Sequence, residues 1–295
     1  MTPITAALLH GLPLPRHQQG DNKEGRGQVL VVGGSMSVPG AILLSAEAAL
    51  RVGAGKLQIA TCRSIAPHLG LRIPESMVIP LPEAEDGEIA AGAAERLAKP
   101  ATRADAILVG PGMMASDGME PLLSRVLAEP KDGAGFVLDA GALDVLPGHP
   151  GLLSRCGSRT VITPHAGEMA RLLDVERDAV EADPLRHARD AASRFGCIVV
   201  MKGGTTHIVT PANEAWVFEG GTVGLATSGS GDVLAGVIAG LLARGTPAHE
   251  AAVWGVFLHA EAGTRLTRRH GGVGLLAREL SVEVPAIMVD VALGV

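Results

Sequence analysis

The residues best suited to chemistry lie in the run Ala226-Thr227-Ser228-Gly229-Ser230-Gly231-Asp232, which leads directly into the apolar helical pattern Val233–Ala243. Free N–H groups at a helix N-terminus, reinforced by the helix dipole, favour an anion. Gly229, Ser230 and Gly231 are small enough to let a phosphate approach the backbone closely. Asp232 allows two readings: a capping charge in the first turn, or a base acting on a hydroxyl held beside the phosphate. The loop is not a Walker A motif, because no G-K-[ST] follows its glycines. Nor do Gly33-Gly34-Ser35 and Gly40 have the G-x-G-x-x-G spacing of a dinucleotide fingerprint.

Five further positions follow apolar runs. Thr163-Pro164-His165-Ala166-Gly167-Glu168 places a histidine at a strand-to-helix junction, where it either caps the helix or meets a ligand at neutral pH. Lys202-Gly203-Gly204-Thr205-Thr206 puts a cation and two glycines at a strand end, forming either a turn or a seat for a nucleotide phosphate or ribose. Asp139 ends another run, as a capping acid or as the holder of a metal-bound water. Gly34 and Gly112 end two more.

These positions need a scaffold that brings strand ends together. Strands are expected at Gln28–Val32, Leu57–Thr61, Ala106–Val109, Phe136–Asp139, Val161–Thr163 and Ile198–Met201, with a hairpin from Thr206–Val209 and Ala215–Phe218. Helices are expected from Pro39 to Val52, from Gly167 to Leu173, at Val233–Ala243 and at Glu250–Leu266, with a short piece near Val273–Leu280. Alternation of strands and helices means parallel βαβ units. Continuous apolar strands mean a sheet buried on both faces. In such sheets ligands bind outside the carboxyl ends of the strands, where the singled-out residues fall.

Composition removes other classes. With 47% apolar and 19% charged residues the chain has ample surface to bury and is not disordered. A net charge of −6 argues against binding nucleic acid through its phosphates, and four Phe, two Trp and no Tyr argue against a base-stacking platform. The most apolar helical stretch, Val233–Ala243, is too short for a bilayer, and the Pro-containing start lacks a signal-peptide core. Cys62, Cys156 and Cys197 show no metal-binding spacing; we read them as buried free thiols of a cytoplasmic protein. We expect an N-terminal extension over 1–24 and one domain over 25–295.

In chain order, Val31-Val32-Gly33-Gly34-Ser35 with Gly40-Ala41, Ala48 to Gly55, Val109 to Gly112, Leu138-Asp139-Ala140, Thr163 to Glu168, Lys202 to Thr206 and Gly229 to Gly236 resemble the ADP-dependent NAD(P)H-hydrate dehydratases of the carbohydrate-kinase-like family. The likeness runs from about Gly25 to Gly263. The Gly-Ser-Gly-Asp loop alone marks the wider ribokinase-like superfamily; the Pro-His-x-Gly-Glu segment and the Gly-Gly-Ser start narrow it.

The resemblance implies a ribokinase-like three-layer α/β fold and dehydration of the S form of hydrated NADH or NADPH. ADP (ATP in some relatives) would be consumed to AMP and phosphate, with Mg²⁺ as cofactor and its ligands unassigned. Carried over, Lys202, Gly203, Gly204, Thr205, Thr206 and Gly231 would bind the adenine nucleotide beside Gly229 and Ser230. Ala41, Gly112, His165 and Asp232 would contact the hydrated dinucleotide, with Asp232 catalytic. A separate epimerase partner and a homotetramer are expected by the same likeness. The sequence departs from the family at Val38-Pro39, where an aromatic is common, at Met113-Met114, and at Gly141, where many members carry a second acid. Two rivals are a thiazole- or pyrimidine-alcohol kinase of the same fold and a non-catalytic nucleotide-binding protein.

Overall fold

The computed structural model describes residues 1–15 and 23–294. Residues 16–22, part of the expected extension, and Val295 lie outside the described residues. The strands are β1 (Thr2–Pro3), β2 (Gln28–Val32), β3 (Lys56–Cys62), β4 (Ser76–Leu81), β5 (Ala106–Val109), β6 (Gly135–Leu138), β7 (Thr160–Ile162), β8 (Ile198–Met201), β9 (Thr205–Val209) and β10 (Ala215–Glu219). They form one ten-stranded sheet in the order β1-β10-β9-β8-β7-β6-β5-β2-β3-β4. From β8 to β4 all neighbours are parallel; β9 runs antiparallel to β8 and to β10.

Around the sheet lie α1 (Ala6–His10), α2 (Pro39–Arg51), α3 (Ala66–Arg72), α4 (Ala98–Ala101), α5 (Met119–Ala128), α6 (Ala166–Leu173), α7 (Arg177–Ala182), α8 (Pro184–Phe195), α9 (Ser230–Ala243), α10 (Ala248–His270) and α11 (Ala277–Leu293). The central strands are buried throughout: Val29 to Val32, Ala106 to Val109 and Phe136 to Leu138 have no exposed surface. This is the layered α/β architecture expected from their unbroken apolar runs.

Helices α1, α3, α4, α5, α7 and α8 lie outside the sequence reading, which differs from the structure in three further places. The short piece near Val273–Leu280 is the start of α11, a 17-residue helix that continues through Pro285. Its Leu280, Val284, Ile287 and Val291 form one buried face, and that packing outweighs the helix-breaking tendency of the proline. Strand β4 was not anticipated, because half-exposed residues and Pro80 disguise an edge strand. The expected strand Phe136–Asp139 ends at Leu138, so Asp139 stands just beyond the sheet.

The first residues join the edge of the sheet. β1 pairs with β10, His10 Nε2 donates to Val291 O at 2.7 Å, and Trp254 Nε1 donates to Leu12 O at 2.7 Å. The three cysteines are free and buried. Among the described residues no helix is long and apolar enough to cross a membrane.

Helix α9 sets the position of the glycine-rich loop. All of its residues are buried except Gly231 and Asp232. Such a helix is held from every side. It nests on α2 through Gly236 and Gly240, where a Cβ would collide with backbone at Ser45 and at Ala49. We therefore expect Gly236→Val to lower the unfolding free energy by about 1–3 kcal/mol through overpacking. Equilibrium urea unfolding should show a lower midpoint at unchanged slope.

Candidate active site

Five adjacent strands, β8-β7-β6-β5-β2, deliver Lys202, His165, Asp139, Gly112 and Gly34 to one edge of the sheet. Chain order reverses direction at β2, which pairs with β3 on one side and β5 on the other. That switch point opens a crevice beyond the strand ends. Gly34 N donates to Pro111 O at 2.8 Å across it, and Lys202 N donates to Pro164 O at 2.8 Å farther along. The singled-out segments are thus tied to one another by backbone.

At the centre is a buried cation. Lys202 Nζ lies 2.9 Å from Asp139 Oδ1 and 3.7 Å from Glu168 Oε2, with both carboxylates more than nine-tenths buried. Asp139 Oδ1 also accepts from Thr163 Oγ1 at 2.6 Å. Burial alone would depress the Lys202 ammonium, but Asp139 and Glu168 outweigh it and hold the group above its ordinary value. Ala140, next to Asp139, adopts φ +47, a left-handed conformation unusual for a residue with a Cβ. Such strain commonly accompanies a side chain held for function.

Asp232 stands beside this cluster at the first turn of α9. Burial pushes its carboxyl up to about 7, repulsion from Asp139 and Glu168 adds to the rise, and Lys202 opposes it. A carboxyl poised near neutrality can take and return a proton. The preceding Gly229 adopts φ +87, and no side chain caps the helix start. The ammonium of Lys202 lies where a Cβ on Gly231 would be 3.3 Å from it. The start of α9 and the Lys202 ammonium thus meet beside the Asp232 carboxyl.

His165 is the N-cap of α6. Its Nδ1 accepts from Gly167 N at 3.0 Å and Glu168 N at 3.2 Å, while Glu168 Oε2 accepts from His165 N at 2.8 Å. The ring is therefore protonated at Nε2 when neutral, and more than half of the side chain is exposed. Capping and ligand contact, alternatives in the sequence, are compatible: one nitrogen caps and the other is free to donate. His165 lines a cleft of about 710 Å³ with Ala166, Met201, Lys202, Gly203, Gly204 and Thr205. Arg177, Glu181 and Pro184 close its far wall. Thr206 is set within β9, opposite Phe218, and is not among the lining residues.

Ala41 and Gly112 lie toward the β5–β2 side and meet each other: a Cβ on Gly112 would come within 2.9 Å of Ala41 Cβ. The structure thus orders the singled-out residues as the His165 and Lys202-to-Thr205 cleft, then the Asp232 cluster, then Ala41 with Gly112. Two features were missed in sequence. Arg177 and Glu181, ion-paired at 2.7 Å, come from a helix with no apolar signature. His259 of α10 contacts Ser230, and its only sequence signal is a polar residue inside the apolar pattern Val253–Ala260. Burial and the nearby Lys202 bring its imidazole down to about 4 despite the hydrogen bond with Ser230, so the ring is neutral.

A mostly parallel sheet with a buried carboxyl at the head of a glycine-led helix places the protein in the ribokinase-like class of α/β folds. Over residues 29–286 the chain matches the model of the carbohydrate-kinase family described as NAD(P)H-hydrate dehydratase, and it belongs to that family. It is 47% identical to the ADP-dependent (S)-NAD(P)H-hydrate dehydratase of Xanthomonas campestris, over 97% of this chain and 95% of the relative. It is 34% identical to the bifunctional NAD(P)H-hydrate repair enzyme of Moorella thermoacetica, over 97% of this chain. The match takes in 53% of that relative, so the chain spans about half its length. Its structure is similar to the ADP/ATP-dependent NAD(P)H-hydrate dehydratase of Bacillus subtilis co-crystallised with ATP and Mg²⁺. The TM-score is 0.81 at 28% identity, covering 98% of each chain.

The raised Asp232 carboxyl has a stability consequence. Between its ordinary value of 3.8 and about 7, the folded chain holds a proton that the unfolded chain has lost, so stability falls as pH rises through that window. Asp232→Asn removes this loss. Thermal unfolding should show the variant melting above the wild type at pH 8, with the difference shrinking toward about pH 4.

Proposed function

We propose that the chain dehydrates the S form of hydrated NADH and NADPH, consuming ADP to AMP and phosphate. The observation that carries this reading is Asp232, raised to about 7 by burial and set at the head of α9 beside Lys202. Family membership and the 47% identity to an ADP-dependent (S)-NAD(P)H-hydrate dehydratase support it.

Hydroxide is a poor leaving group, and the residues suit its conversion into a phosphate ester. Asp232 takes the substrate hydroxyl proton while the hydroxyl oxygen attacks the terminal phosphorus of ADP and AMP leaves. Backbone N–H groups of Gly229 and Gly231 and the Lys202 ammonium stabilise charge on the transferred phosphoryl group. Phosphate then departs with the C–O electron pair. The adjacent ring carbon gives up a proton to the departing phosphate, and the ring double bond returns.

The adenylate fits the cleft that Lys202, Gly203, Gly204 and Thr205 line. Among the described residues no Phe or Trp lines it, so Ala166, Pro184 and Met201 offer the base an aliphatic slot beside the His165 ring. Thr206 supports the turn from within β9. His165 reaches across with its free Nε2–H, and Ala41 with Gly112 leaves room for the hydrated ring.

Among the described residues no three acidic, histidine or cysteine side chains form a metal cage. The donor chemistry nonetheless fits Mg²⁺, which takes hard oxygens, largely from nucleotide phosphates with one or two carboxylates. Glu168 would be the carboxylate to hold it, since among the described residues its Oε1 makes no hydrogen bond and lies 3.6 Å from His165 Nε2. When bound, the ion supplies neutralisation of phosphate charge. An enzyme for one hydrate epimer needs an epimerase as its pathway partner. With all three thiols buried and unpaired, we place it in the cytoplasm.

Hydrated NADH supplied with ADP or ATP and Mg²⁺ should recover absorbance at 340 nm; no recovery with either nucleotide would overturn the reading. Asp232→Asn should lower kcat by at least about 100-fold, as loss of a general base does. The rate should fall below about pH 7 in the wild type, as Asp232 becomes protonated. Asp139→Asn removes a charge that raises Asp232, so its acidic limb should move to lower pH. An unmoved limb would mean that another group controls the rate.

A further inference from the structure

His259 projects from α10 toward the start of α9, and among the described residues its ring nitrogen is the only partner of the Ser230 side chain. Nε2 lies 2.8 Å from Ser230 Oγ and 3.0 Å from Ser230 O. The carbonyl oxygen can only accept, so Nε2 carries the hydrogen and shares it between both oxygens. The opposite tautomer would set the Nε2 lone pair against the carbonyl lone pairs at 3.0 Å. With Oγ accepting from His259, the hydroxyl hydrogen of Ser230 has no acceptor among the described residues, although Ser230 is only 5% exposed. A buried donor without a partner is unfavourable. This one stands at the first residue of α9, where the helix N-terminus draws an anion.

We propose that His259 is a positioning residue for ADP: by donating to Ser230 it turns the serine hydroxyl into a donor for a phosphoryl oxygen. Were Ser230 to donate to the ring instead, its oxygen would present lone pairs to the phosphate and repel it. The imidazole thereby decides whether the loop attracts or opposes the nucleotide without touching it. This deepens the dehydratase reading and rests on the Gly229–Gly231 loop being the phosphate seat.

The test is calorimetric titration of the full chain with ADP, alongside KM values for ADP and hydrated NADH. His259→Leu should weaken ADP binding about tenfold, the effect of one hydrogen bond to a charged group. Its KM for hydrated NADH should stay within about twofold of the wild type, a split that a general loss of structure would not produce. His259→Gln restores an N–H at similar reach and should bind ADP within about threefold of the wild type. Ser230→Ala alone should weaken ADP about tenfold, and Ser230→Ala with His259→Leu should be no weaker than the worse single variant, because one hydrogen bond is lost once. ADP affinity unchanged in folded His259→Leu, no rescue by glutamine, or losses that multiply in the double variant would each overturn the proposal. Should His259→Leu fail to fold, unchanged affinity in Ser230→Ala overturns it alone. A wild-type chain that binds ADP without dehydrating hydrated NADH would sink the dehydratase reading and leave this test intact.

Discussion

The ammonium of Lys202, buried between Asp139 and Glu168, is the interaction on which the site depends. Two carboxylates this deeply buried would be very unfavourable without a cation. The cation would be equally unfavourable without them. Their mutual dependence ties the ends of β6, β7 and β8 into one unit. It also sets the field at Asp232, because Asp139 and Glu168 raise its carboxyl and Lys202 lowers it. Burial, the largest cause, acts with that balance to bring the Asp232 carboxyl to about 7, where it can exchange a proton with a substrate hydroxyl.

The rest of the fold keeps that balance in place. Helix α9 brings Asp232 and the glycine-rich loop to the cluster, and its glycine contacts with α2 leave it no space to shift. A close-packed interior transmits such constraints without slack. The functional groups that face outward, His165 at the α6 cap and the Lys202-to-Thr205 turn, sit on backbone joined by the Lys202–Pro164 hydrogen bond. Positioning in phosphoryl transfer is worth more than covalent participation. This architecture provides positioning.

Much of this was legible in sequence. Apolar runs marked the buried strands, and five of them are followed by singled-out residues that the fold brings to one edge of the sheet. The helix starts at Pro39 and after Gly229 were visible because proline and glycine carry their own backbone constraints. Elements governed by partial exposure were not legible. Strand β4 is an edge strand with mixed residues, and α11 runs through Pro285 because its buried face packs on its neighbours. Asp139, Glu168 and Lys202 could each be noticed as a strand-end or helix-start residue, but nothing in their spacing said that they share one charge network.

The sequence by itself determined the parallel α/β class, the family likeness and the glycine-rich loop that opens a buried helix. These follow from local patterns: the period of apolar residues and the backbone freedom of glycine. Only the tertiary structure decided that His165 both caps a helix and keeps a free N–H. It also decided that Arg177 and Glu181 wall the cleft, and that His259 reaches Ser230 from 29 residues away. The protonation of Asp232 belongs to the same class. Charge interactions depend on distance and burial in space, and neither is encoded in the order of residues along the chain.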